Sequence, residues 1–201
     1  MAHSAPILTP SQFQDAINAC NRTRYSVRNR ALLYVQVATA FRACELRRVT
    51  IGQFLDEKGE IKETFKLPKR MTKGQTKDKT VYFTNQRAKQ ALTEYLDWYR
   101  QNCEKKRRPF SRDLLLFPSE RGGEYHKTAI VRLFKLIYRK AGLDEARSHS
   151  LRRTKLTEIH KQTGSIVAVK EVAGHNDIRT SARYIEVDPL ELLKVGKKSK
   201  Y

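Results

Sequence analysis

Ala31-Leu32-Leu33-Tyr34-Val35-Gln36-Val37-Ala38-Thr39-Ala40-Phe41, followed at once by Arg42-Ala43-Cys44-Glu45-Leu46, is the stretch on which the fold turns. An apolar run of this length with few polar breaks predicts a helix buried on most sides. It delivers Arg42 straight from the core, with Glu45 three positions on and within reach of the guanidinium on one helical turn. Alone, such a pair is a weak sign of chemistry, because most ion pairs at this spacing carry none.

Upstream, Thr9-Pro10-Ser11-Gln12 reads as a helix start: Thr caps the first free amides, Pro suits the first turn and Gln12 reaches back to the cap. Phe13 and Ile17 then mark one buried stripe. Downstream the period shifts. Ile61 to Lys69 and Lys79 to Phe83 are short strand-like runs joined by the turn-rich Thr72-Lys73-Gly74-Gln75-Thr76, which predicts a small antiparallel sheet.

Ala88, Ala91, Leu92, Tyr95, Leu96 and Tyr99 return to helical spacing, with a stop expected before Lys105-Lys106-Arg107-Arg108-Pro109. Ile130, Leu133, Phe134, Ile137 and Tyr138 repeat the pattern up to Gly142. Leu151 to Lys161 reads as a further helix, and Ser165 caps another that runs to Ala173 and ends at Gly174. The fold class is mainly α with a small antiparallel β-sheet (α+β), in one domain without internal repeats.

Within 201 residues, 41 basic against 21 acidic side chains leave a net charge of +20, which favours a polyanionic partner, nucleic acid first. A hydrophobic share of 39% still supports a packed core and disfavours a disordered basic tail as the whole protein. Cys20, Cys44 and Cys103 are widely spaced, with no Cys-x-x-Cys pair and no nearby histidines, so no zinc site is expected and a reducing compartment fits. The first thirty residues lack the pattern of a secretory signal, and no apolar stretch reaches the roughly 18 to 20 residues of a membrane span. A cytoplasmic, nucleoid-associated location is expected.

Two further patterns bear on chemistry. His149-Ser150-Leu151-Arg152 sets an imidazole and a guanidinium three apart at a helix start, on one face, where crowding by the cation lowers the imidazole pKa. Arginine there offers planar donors to phosphate oxygens. Gly174-His175 lets a histidine project where a helix ends, and Tyr184 follows nine residues later between Arg183 and Ile185. Each of these, alone, is more often structural than functional.

Taken together and in order, Thr39 to Leu46, Lys73 in its turn, His149 to Thr154, and Gly174-His175 through Tyr184 resemble the tyrosine recombinase (phage integrase) catalytic domain over about residues 8 to 188. The resemblance implies a DNA strand transferase acting in integration, excision or inversion of a mobile element. Tyr184 would attack the scissile phosphate and hold the DNA 3′ end as a phosphotyrosine. Arg42 and Arg152 would bracket the non-bridging oxygens and His175 would add a donor. Lys73 would protonate the departing 5′ oxygen, His149 would be acid or base partner to the tyrosine hydroxyl, and Glu45 would orient Arg42. Lys69, Lys77 and Lys79 flank Lys73 and stay open as alternatives for the lysine.

No cofactor, metal or ATP is implied. Asp56 with Glu57 and Asp144 with Glu145 are the adjacent acidic pairs, and chain neighbours do not face one another well enough for a two-metal site. By resemblance the partners are double-stranded DNA, a homotetramer on two DNA sites passing through a Holliday junction, and a candidate accessory DNA-bending protein. Pro189 to Leu193, in the tail 189–201, offers an apolar patch for a neighbouring protomer. Lys105, Lys106, Arg107 and Arg108, together with Lys194 to Lys200, are candidate DNA-backbone contacts.

Two departures from the family pattern stand out. Ala40 occupies a position where many relatives have Gly, so a positive φ there would be costly. Only about seven residues precede the resemblance, so the family's N-terminal core-DNA-binding domain is expected to be absent, leaving 1–201 as a single catalytic domain. That absence fits an excised fragment, a naturally short recombinase or a protein that needs an accessory partner. The competing function is a non-catalytic DNA-binding regulator with the same fold, and a generic nucleic-acid coating protein leaves the ordered motifs unexplained.

Overall fold

The structure is a computed structural model that describes residues 5–72 and 77–182. The chain opens with α1 (Pro10–Cys20), α2 (Ser26–Thr39), and the short α3 (Ala43–Leu46) and α4 (Ile51–Phe54). Then come β1 (Thr64–Leu67), a 3₁₀ turn (Lys69–Met71) and β2 (Lys79–Tyr82). The remainder is α5 (Gln86–Lys105), α6 (Lys127–Lys140), α7 (Ser150–Thr163), α8 (Ile166–Ala173) and α9 (Ile178–Ala182). Mainly helical with one small sheet, it has the expected class.

Local signals placed most ends well. Thr9 and Gln12 form the expected reciprocal cap, with Gln12 N donating to Thr9 Oγ1 at 3.2 Å and Thr9 N to Gln12 Oε1 at 2.9 Å. Ser165 Oγ accepts from Ala168 N at 3.2 Å. The strands are shorter than the sequence runs, four residues each, and pair antiparallel with Phe65 opposite Val81 and Leu67 opposite Lys79. Against expectation α5 continues one residue into the basic run, ending at Lys105, and Arg107 turns the chain with φ +51°.

The core lies where α2 meets α5 and α7, with α1 and α6 packed beside it. Phe54 sits at its sheet side, in edge contact with Phe41 and Phe83 and 4.7 Å from the Phe65 ring centroid. Beneath α5, Tyr95 stacks on Phe117 and donates its hydroxyl to Leu116 O at 2.7 Å, which makes burial of that phenol tolerable. A smaller cluster of Ala40, Leu156, Val169 and Ala173 ties the end of α2 to α7 and α8.

The apolar helix stops before Phe41 because Ala40 takes the left-handed conformation, φ 52° and ψ 32°. This is the positive φ that the sequence marks as costly, and it turns the Ala40 carbonyl toward the Arg152 guanidinium. A left-handed residue with a Cβ costs about 1–2 kcal/mol. Glycine would relieve this but would lose a buried methyl, about 0.8 kcal/mol, and about 0.5–1 kcal/mol of backbone entropy. The terms nearly cancel. Ala40→Gly is therefore expected to shift stability by less than about 1 kcal/mol, and Ala40→Val to destabilise by more than about 2 kcal/mol, since a β-branched residue tolerates this conformation worst. Urea midpoints of the two variants check this.

Candidate functional site

Three chain segments far apart in sequence converge at the C-terminal end of α8. Arg42 sits at the N-terminal boundary of α3, extended at φ −76° and ψ 155°. Glu45, on the first turn of α3, holds it twice: Arg42 N donates to Oε2 at 2.8 Å and Arg42 Nη1 to Oε1 at 3.0 Å. The expected ion pair is present and one-sided. Glu45 is fully buried, whereas the Arg42 side chain keeps 16% of its exposure.

Arg152 enters from the first turn of α7 and is fully buried. Its Nη1 donates to Ala40 O, and its Nη2 to Ala173 O at 2.8 Å. Arg42 Nη1 reaches the same Ala173 oxygen at 3.4 Å. Two guanidinium groups thus share one carbonyl at the negative end of α8, where unpaired helix carbonyls favour cations.

His175 follows Gly174, whose φ of +63° ends α8. Its Nε2 lies 3.0 Å from Arg152 Nη2, and its Nδ1 lies 2.9 Å from Ser181 Oγ on α9. A guanidinium has only donors, so Nε2 accepts, and the ring proton sits on Nδ1 and is donated to Ser181. In this arrangement His175 steadies Arg152, and donation from Nε2 to a substrate oxygen requires the other tautomer. Burial first, then Arg152, Arg42 and Lys79, push its pKa down to about 3 against the opposing pull of Glu45, so the ring stays neutral at physiological pH.

A third cation comes from the sheet. Lys79 points inward from β2, 3% exposed, with Nζ 3.2 Å from Thr39 O and 3.9 Å from Glu45 Oε2. Burial pushes its pKa down to about 7, with Arg152 and Arg42 adding to the shift and Glu45 opposing it. On Glu45, burial would raise the pKa, but Lys79, Arg152 and Arg42 outweigh it and hold the carboxyl below its ordinary range. One carboxylate thus stands among three cations.

Of the residues expected at the site, Arg42, Glu45, Arg152 and His175 are brought together. His149 occupies the N-cap position of α7 and is exposed, with Nδ1 3.4 Å from Ser148 Oγ. Lys73, Tyr184, Pro189 to Leu193 and Lys194 to Lys200 lie outside the described residues. Lys69 and Lys77 are exposed, as are Lys105, Lys106, Arg107 and Arg108. Among the described residues, no three His, Cys, Asp or Glu side chains are grouped to hold a metal ion, and no helix is long and apolar enough to cross a membrane. Asp56 Oδ1 instead accepts from the amides of Lys58 and Glu60, closing a turn.

Gln36 and Ser181 escaped the sequence reading, and Lys79 entered it only as an alternative for the lysine. Gln36, the polar break in the apolar helix, donates to Ser148 O at 2.7 Å and to Phe41 O at 3.3 Å, fastening the turn before α7 to the end of α2. Its isolation in that run was the available signal. Lys79 shares a strand face with Val81, which alternation could have shown. Ser181 had no local signal.

A family model described as the phage integrase family matches residues 6–191. The tyrosine recombinase XerC of Lactobacillus delbrueckii subsp. bulgaricus is 30% identical over 164 residues, covering 81% of this chain and 51% of that protein. The putative integrase/recombinase y4rF of Sinorhizobium fredii is 27% identical, covering 98% of this chain and 44% of its own. The chain spans about half the length of such curated relatives. Among solved structures, XerA recombinase superposes with a TM-score of 0.74 at 21% identity, over 100% of this chain and 66% of its own. The catalytic domain of bacteriophage HP1 integrase does so at 0.61 and 17% identity, over 98% of this chain and 96% of its own. At such identities the likeness is one of fold.

Proposed function

The chain belongs to the phage integrase family, and from that premise we propose that residues 8–188 are the catalytic domain of a site-specific DNA recombinase. It would cleave and rejoin DNA through a 3′-phosphotyrosine, without metal or ATP. The observation that carries the reading is the meeting of Arg42 and Arg152 on Ala173 O, with Glu45 and His175 fixing one guanidinium each. A phosphodiester resists attack because of its charge, and preset cations supply what the pentavalent transition state needs without reorganisation.

In the cleavage step the Tyr184 oxygen bonds to phosphorus while the bond from phosphorus to the 5′ oxygen breaks. His149 takes the phenolic proton, and Lys73 gives one to the leaving 5′ oxygen. Arg42 and Arg152 bind the non-bridging oxygens. Rejoining runs in reverse, with a 5′ hydroxyl attacking the phosphotyrosine and Tyr184 leaving, so the phosphodiester bond energy is conserved. His175 acts chiefly on Arg152, keeping its planar donors aimed.

The same reading extends to partners. Double-stranded DNA is the substrate, held in part by Lys105, Lys106, Arg107 and Arg108, and the working unit is a homotetramer assembled on DNA through a Holliday junction. An accessory DNA-bending protein is required where the target must be deformed. The site of action is DNA in the cytoplasm, of a mobile element undergoing integration, excision or inversion.

The test is covalent trapping. The chain and its Tyr184→Phe variant are incubated, with EDTA, with nicked suicide duplexes tiled across the DNA that flanks its coding sequence, and resolved on a denaturing gel. An adduct is expected with the parent and not with Tyr184→Phe, which should still shift the DNA because only a hydroxyl is lost. DNA binding without an adduct on any duplex would favour a non-catalytic regulator.

A further inference from the structure

Lys79 is a buried charge that the proposed chemistry does not use. It is 3% exposed, and the strand position it fills shares its inward face with Val81 and pairs with Leu67, where an apolar side chain would be expected. Taking an ammonium out of water costs several kcal/mol, and replacing a buried ion pair by apolar residues is often neutral or stabilising. Packing alone is therefore a poor account of a lysine here.

Its surroundings supply a better one. The stem passes so close under Gly174 that a Cβ there would lie 3.2 Å from Cδ and 3.3 Å from Cγ of Lys79. The ammonium sits 4.8 Å from the Phe41 ring centroid and meets Thr39 O and the Glu45 carboxylate. One side chain thus touches the turn that leads into Arg42, the carboxylate that holds Arg42, and the turn that leads into His175. In sequence it closes the connection between β1 and β2, which carries Lys73.

We infer that Lys79 is a positioning residue, a charged post that registers the β1–β2 hairpin against the two turns presenting Arg42 and His175. It acts through Glu45 and the backbone and touches no reacting atom. The inference rests on the recombinase reading for its kinetic consequence and not for its structural one. Misplacing a catalytic group by about 1 Å can cost about 10²-fold in rate, and a hairpin with no post can drift by that much.

Two variants separate positioning from filling. Lys79→Met occupies the same volume without charge, the change a merely structural role would accept best. Lys79→Arg keeps the charge, the donors and the part of the stem that passes Gly174. Both are compared with the parent by thermal melting, by the rate of Tyr184-dependent adduct formation, and by amide hydrogen exchange of the DNA-free protein.

Lys79→Met is expected to cleave about 10²-fold more slowly and to exchange about tenfold faster at residues 40–45 and 173–175. Lys79→Arg is expected to recover most of the rate and the protection. Lys79→Met cleaving like the parent, or Lys79→Arg as impaired as Lys79→Met, would overturn the inference. If the parent itself forms no adduct, the recombinase reading falls, and exchange decides: protection in Lys79→Met equal to the parent's refutes the post, and faster exchange at both turns restored by Lys79→Arg supports it. Should Lys79→Met not fold, Lys79→Arg with parental protection and rate still supports it, and Lys79→Arg deficient in both overturns it.

Discussion

Arg152→Ala is expected to lose strand cleavage by at least about 10³-fold and stability by about 3–5 kcal/mol. The first figure follows from the role proposed for it, one of two guanidinium groups that neutralise the transition state. The second follows from its place. Its side chain is fully buried, and its donors occupy the carbonyls of Ala40 and Ala173 and the Nε2 of His175. Truncation leaves those acceptors in a dry cavity, each costing about 1–3 kcal/mol if water does not enter, and it strips Glu45 of one of three nearby cations. Arg152→Lys separates the two effects. An ammonium keeps the charge but cannot span three acceptors as a planar fork, so folding should recover further than cleavage. Urea denaturation and the covalent-trapping assay, run on both variants, read the two effects independently.

Glu45→Gln carries the next largest effect, expected at about 3–5 kcal/mol, because it leaves Arg42, Lys79 and Arg152 close together with no negative charge among them. Glutamine fits the space and can still accept from Arg42 N, so any loss reports charge rather than shape. Cleavage should fall by about 10²-fold or more, since Arg42 loses its aim. The pH dependence has a fixed sign. The folded-state pKa of Glu45 lies below its ordinary 4.5, so between those two values the unfolded chain binds more protons than the folded one. The stability Glu45 contributes is thus complete above the ordinary value and is lost as pH falls through the folded one. His175, depressed from 6.5 to about 3, adds a slope of the same sign over the window between those values. Urea midpoints from pH 6 down to pH 3 should therefore fall in the parent, and the fall below pH 4.5 should be shallower in Glu45→Gln.

Much of this architecture was legible along the chain because it is set locally. The Thr9 cap, the Ser165 cap, the stop at Gly174 and the pairing of Arg42 with Glu45 each depend on residues within about four positions of one another. What escaped depends on contacts across the chain. The acceptors of Arg152 at Ala40 and Ala173 lie 112 and 21 residues away, and no period reveals them. The spacing of His149 and Arg152 suggested an imidazole perturbed by a cation. The fold delivers a second imidazole, His175, beside Arg152, and its pKa is pushed down, while His149 is exposed at the helix start. Lys79 was visible only as one of four lysines around a turn. Its inward face follows from the register of a two-stranded sheet whose ends the sequence placed too generously.

The cations of this site are held largely by main-chain oxygen: Thr39 O for Lys79, Ala40 O and Ala173 O for Arg152, and Ala173 O again for Arg42. Among the described residues, Glu45 and His175 add side-chain contacts. A carbonyl survives any point substitution, so the scaffold under the arginines tolerates drift in side-chain identity. Its weakness is length. One residue inserted or deleted within α8 would swing the Ala173 oxygen by about 100° about the helix axis, disarming both arginines without altering a single functional side chain.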